Sequence, residues 1–130
     1  MPSKTQKTKE ANANIYIKDL FFRWLEITSF LHGLTKQQKH VLSLFLYHHY
    51  KLKQEISNNR LLWKLVFDYD IKHQIKEELK IKDSVLQNIL SKFRKLGIIT
   101  DNVISPVFIP DLEKETTNFK IIFNFNIIHD

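Results

Sequence analysis

Across residues 19–32 large apolar side chains recur at Leu20, Trp24, Ile27 and Leu31, spaced four, three and four, which is one face of a helix. Asp19 is placed to cap that helix and Gly33 to close it. Phe21, Phe22, Leu25 and Phe30 widen the apolar face well past an ordinary stripe. So wide a face must be buried on more than one side, in the core or against a second copy. Thr35-Lys36-Gln37-Gln38 then reads as a capping box, with the Thr35 hydroxyl capping forward and Gln38 reaching back. Val41, Leu42, Leu44, Phe45 and Leu46 predict a buried helix through about Tyr50, and Ser57-Asn58-Asn59 a turn. The run Leu61, Leu62, Trp63, Leu65, Val66, Phe67 is short, and its pattern fits a helix or a strand equally well.

Further along, Asp70 is placed to cap a helix from Ile71 to about Leu79, with Ile71, Ile75 and Leu79 inward. Lys80-Ile81-Lys82 breaks the pattern. Asp83 or Ser84 opens the next helix, in which Val85, Leu86, Ile89, Leu90, Phe93 and Leu96 are apolar before Gly97 ends it. Ile98 to Ser105 reads as two short strands joined at Asp101-Asn102, with Pro106 and Pro110 ending the pairing. Last, Phe119, Ile121, Phe123, Phe125 and Ile127 alternate with Lys120, Ile122, Asn124 and Asn126, the pattern of a half-buried strand.

Composition narrows what this pattern can do. With 130 residues, 43% apolar and 26% charged, the chain suits one globular domain, expected over residues 15–130. Cysteine is absent, which removes disulfides, thiolate metal sites and cysteine nucleophiles. The two glycines, Gly33 and Gly97, are too far apart for a Gly-rich phosphate loop. No apolar run reaches the roughly 18–20 residues that span a membrane. Residues 1–14 are polar and carry Lys4, Lys7 and Lys9, which predicts a basic flexible tail and no secretory signal.

Ile, Lys, Asn, Phe and Tyr, which have A/T-rich codons, total 56 residues, against 10 for Ala, Gly, Pro and Arg. An AT-rich genome is expected, such as that of many bacteriophages, plasmids and their hosts. Part of the lysine content is then codon bias, so the pI near 9.5 weighs less toward a nucleic-acid partner. Distribution says more than the total of +6: residues 1–18 carry +3, 19–70 carry +2, 71–100 carry +4 and 101–130 carry −3.

Residues 79–99, LKIKDSVLQNILSKFRKLGII, closely resemble the second half of a winged helix-turn-helix domain. Leu79 and Ile81 bracket the turn, Leu86, Leu90 and Phe93 press the second helix inward, and Gly97-Ile98-Ile99 leads into the wing. The resemblance implies a mainly α fold with a small β-hairpin, and a helix over 83–96 whose outer face enters a DNA major groove. More weakly, the hairpin, Ile104-Ser105-Pro106 and the final alternating strand resemble small plasmid replication initiators and uncharacterised proteins of AT-rich phages.

Carried onto this chain, the outward positions are Asp83, Ser84, Gln87, Asn88, Ser91, Lys92 and Lys95. Gln87 and Asn88 suit bidentate pairing with adenine, and Ser84 suits either base type. Lys82, Lys92, Arg94 and Lys95 are expected at phosphates; with Lys72 and Lys76 that makes about six contacts and a salt slope near −5. Two departures stand out. Lys80-Ile81-Lys82 replaces the family's usual Gly-Ile-Ser, and the wing region holds Asp101, Asp111, Glu113 and Glu115 against Lys114 alone.

Other chemistries fit poorly. His48 and His49 are adjacent and point about 100° apart on a helix, and His40 lies two turns from His48 with no third ligand, so no metal is expected. Asp68 and Asp70 read as turn and cap residues, and Glu77 and Glu78 as surface charge. No nucleophile, base and orienting group can be assembled, so neither catalysis nor a cofactor is expected. Trp24, Trp63 and the phenylalanines read as core.

Two functions remain. One is a winged-helix DNA-binding protein of a phage or plasmid, a transcriptional regulator or replication accessory in the bacterial cytoplasm, dimeric through the 19–32 helix. The other is a non-catalytic structural or adaptor protein of a phage virion, with the winged helix docked on neighbouring virion proteins.

Overall fold

A computed structural model describes residues 5–130. Among them are five helices: α1 (Ile17–Ile27), α2 (Lys36–Lys53), α3 (Asn59–Val66), α4 (Tyr69–Leu79) and α5 (Asp83–Lys95). Strands β1 (Ile99–Thr100) and β2 (Val103–Ile104) form one antiparallel sheet, and single 3-10 turns cover Ser29–Leu31 and Pro106–Phe108. The protein is mainly helical with a small two-stranded sheet.

The expected capping box starts α2: the Gln38 amide donates to Thr35 Oγ1 at 3.2 Å and the Thr35 amide to Gln38 Oε1 at 3.0 Å. Val41, Leu42, Leu44, Phe45, Leu46, His48 and His49 are all buried, more of the circumference than one stripe can supply. The reason is position: α2 lies at the centre, against α1, α3, α4 and α5. Burial, reinforced by the Lys53 charge, pushes the His49 imidazole down to about 4, and the ring stacks on Trp63 at 4.3 Å.

A cap settles the ambiguous run over 61–67. Asn58 Oδ1 accepts the Leu61 amide at 2.9 Å, starting α3, and Leu62, Trp63 and Val66 turn to the core. The helix expected from Ile71 starts two residues earlier, because Asp68 rather than Asp70 caps it, accepting the Tyr69 amide at 2.8 Å. Asp70 sits in the first turn, where its charge still favours the helix N-terminus. Asp19 likewise lies in the first turn of α1 and is not its cap; Tyr16 holds that position with no side-chain cap.

Over 19–32, α1 ends at Ile27 and the chain tightens into the 3-10 turn before Gly33 at φ +62°. The neutral His32 ring bridges that turn: Nε2 lies 2.8 Å from the Leu25 carbonyl, and Nδ1 accepts the Leu34 amide at 3.0 Å.

Helices α4 and α5 end alike. The Ile81 amide donates to Lys76 O at 3.1 Å past Lys80 (φ 55°), and the Ile98 amide to Phe93 O at 2.9 Å past Gly97 (φ 75°). Both put a left-handed residue just beyond the helix, but only the second uses glycine. The hairpin follows: Ile99 faces Ile104 and Thr100 faces Val103 across a two-residue loop. Asp101 and Asn102, at φ 53° and 55°, give the loop the twist such hairpins need.

The strand expected over 119–127 does not form; residues 117–130 have no helix or strand. The one sheet among the described residues is β1 paired with β2, and this segment does not join it. Instead the chain runs back over α1: the Trp24 indole N–H donates to Phe108 O at 2.9 Å, and Leu112 enters the core. Phe119 meets Trp24 edge-on at 6.0 Å and Phe123 meets Phe30 at 5.7 Å. Residues 5–14 are exposed and free of regular structure; Met1 to Lys4, part of the expected tail, lie outside the described residues.

Candidate nucleic-acid interface

Helix α5 divides cleanly. Leu86, Ile89, Leu90 and Phe93 are buried, which turns Ser84, Gln87, Asn88, Lys92 and Lys95 to solvent. Ser91 is half-buried at the margin, the least accessible of the positions expected to meet DNA on this helix. Lys82 is exposed at the N-cap position and supplies no side-chain hydrogen bond, so α5 starts on a cation and not on a side-chain cap. Arg94 and Lys80 are exposed as well, which extends the basic surface from the turn to the end of α5.

On α4 the picture is less open. Lys72 and Lys76 are half-buried, and Lys76 Nζ lies 3.1 Å from Asp83 Oδ1 and 5.9 Å from the Tyr69 ring centroid. The Lys76 hydrogen bond and charge hold the Asp83 carboxyl below its ordinary range, with smaller help from Gln87 and from the Lys72 charge. Asp83 therefore sits ionised at the first turn of α5, favoured by the helix dipole and neutralised by the preceding helix. The pattern alone makes Asp83 an outward position and Lys76 a free cation for phosphate; the fold instead pairs them. In the sequence that pairing shows only as an acid opening one helix seven residues after a lysine.

The acidic wing needs correction. Of its four acids only Asp101 lies on the hairpin, at the tip. Asp111, Glu113 and Glu115 follow the Pro106–Phe108 turn, flanking Leu112 in the stretch that leads back to α1. The hairpin itself carries one negative charge, not four.

The other proposed interface, the 19–32 face, is partly taken by the chain itself. Phe21 packs on Tyr47 and Tyr50, Phe22 stacks on His40 at 4.1 Å, and the C-terminal segment covers Trp24. Ile27, Phe30 and Leu31 stay exposed at its end. Among the described residues no three His, Asp or Glu converge to hold a metal ion, and no helix is long and apolar enough to cross a membrane. Neither a family model, nor a curated protein, nor a solved structure matches the chain.

Proposed function

We propose that the chain is a winged-helix DNA-binding protein of a bacteriophage or plasmid, a regulator or replication accessory that acts without catalysis in the host cytoplasm. The observation that carries this reading is the outer face of α5, where Gln87 and Asn88 stand exposed among Ser84, Lys82, Lys92 and Lys95. Helix, three-residue turn, helix, glycine and hairpin follow one another over residues 69–104, the order such a domain needs. Amides read base edges while the lysines meet phosphates, and Ser91 acts only at the groove margin. Lys76 is tied to Asp83, so about five free cations replace the six expected, and the salt slope is nearer −4.5.

The roles separate by mutation. Gln87→Ala with Asn88→Ala flattens sequence preference, costing ~1–3 kcal/mol on the preferred site for each bidentate pair of hydrogen bonds removed. Lys92→Ala weakens every sequence alike. Selection from a random duplex pool, with the parent and both variants, reads the difference; a parent without any sequence preference contradicts base readout.

A second reading, a non-catalytic adaptor in a phage virion, is favoured by a different observation. Tyr16, Phe30, Val107 and Phe125 are exposed apolar groups, all on residues outside α5.

A further inference from the structure

We propose that residues 119–128 are a β-strand that pairs with the same segment of a second copy, antiparallel about a two-fold axis through Phe123. The segment has the alternation of a strand and no strand to join. Among the described residues none of its peptide groups is hydrogen-bonded to another part of the backbone. Phe119 and Phe123 seat on Trp24 of α1 and Phe30 of the turn after it, and the chain then runs on with Phe125 80% and Ile127 77% exposed. On the opposite face Ile122 is 80% and Ile128 90% exposed.

At ~150–200 Å² per large side chain, these residues leave about 600 Å² of apolar surface open, the upper end of what monomers tolerate. In the joint Phe125 and Ile127 of each strand meet Ile27, Phe30 and Leu31 of the other copy, while Ile122 and Ile128 stay on the open face; that buries about 1,100 Å² over the two copies, near the lower end of a stable interface.

The partner is a second copy because the segment is complementary to itself. With Phe123 opposite its own copy, Phe119 faces Ile127, Ile121 faces Phe125, Ile122 faces Asn124 and Lys120 faces Asn126. One face of the ribbon is then apolar throughout, and no two like charges oppose each other. A one-residue slip would mix the faces, and slips by two leave Phe119 or Ile127 without an apolar partner, so the Phe123 register pairs the most apolar positions. In this register Phe125 and Ile127 of one chain lie beside Ile121 and Phe119 of the other. That brings them over the end of the other copy's α1 and the turn after it, where Ile27, Phe30 and Leu31 are exposed. The joint is thus the C-terminal strand laid over α1, and not two bare α1 faces. It holds whether or not α5 binds DNA.

The test is sedimentation of the full chain from low to high micromolar concentration. The parent should move from one chain mass to two, while Phe125→Asp with Ile127→Asp should stay at one, with unchanged helical signal because both residues are exposed. As the parent has no cysteine, Phe123→Cys offers a second readout: it should form a disulfide-linked dimer on oxidation. Ile128→Cys should not, since ten residues of strand place it about 33 Å from its copy. A parent that stays monomeric, a ladder of larger species, or cross-linking at 128 but not 123 overturns the proposal.

Discussion

Residues 83–104 and residues 117–130 carry equally clear local patterns and meet opposite fates. The first has a 3.6-residue apolar period, a glycine stop and a two-residue loop, and it folds as that pattern reads. The second has strict alternation over nine residues and forms no strand. Their difference is tertiary. The buried side of α5 has α2 and the hairpin to pack on, while the alternating segment rests Phe119 on Trp24 and Phe123 on Phe30 and, among the described residues, has no backbone hydrogen bond to another segment. A helix closes its own backbone hydrogen bonds; a strand needs a neighbour to supply them.

Truncating one aromatic from each region should separate them most widely. Phe93→Ala, in a fully buried site, should cost ~3–5 kcal/mol by urea unfolding. Phe125→Ala should change the stability of the monomer by less than about 0.5 kcal/mol. Equal effects would mean that the C-terminal segment is part of the core.

Acid should distinguish the packed helices next. His49 is neutral when folded, with its imidazole pushed down to about 4 from an ordinary 6.5. The unfolded chain therefore binds more protons between those values. Stability should hold above about pH 6.5, fall as pH drops and be lost in full by about pH 4, by ~3 kcal/mol from this residue alone. Burial lowers His48, His40 and His32 as well, so they add in the same direction. Denaturant midpoints at pH 7 and pH 4.5 read the effect; a midpoint unchanged by acid would mean that His49 is hydrated.

The smallest contrast lies within the folded region, at the two helix ends. Lys80 and Gly97 both take the left-handed conformation, which strains a side chain and suits glycine. Lys80→Gly should therefore raise stability by ~1 kcal/mol, and Gly97→Ala should lower it by a similar amount although nothing lies within 4 Å of the added carbon. Shifts of the same sign in thermal melts would contradict the matched geometry.

Much of the fold was legible because it is local. The Thr35–Gln38 box, the Gly97 stop, the Asp101-Asn102 loop and the outward set on α5 are all written within a few residues. The misplaced caps at Asp19 and Asp70 show the limit of such reading, since an acid in a first turn and an acid one step before it look alike in sequence. What stayed hidden depends on distant partners. The 61–67 run becomes a helix through one asparagine cap and the α2 surface. The acids after Pro106 lie off the hairpin because Leu112 and Trp24 draw that stretch to α1. At the candidate interface, Lys76 and Asp83 meet only once the turn folds α4 beside α5.

Whether the outer face of α5 binds DNA is read by fluorescence anisotropy on AT-rich duplex between ~50 and ~200 mM salt. The parent should weaken with a log–log slope near −4.5, and Gln87→Ala, Asn88→Ala and Lys92→Ala combined should abolish most of the affinity. Weak binding that the triple change leaves untouched would contradict the assignment of DNA to the outer face of α5.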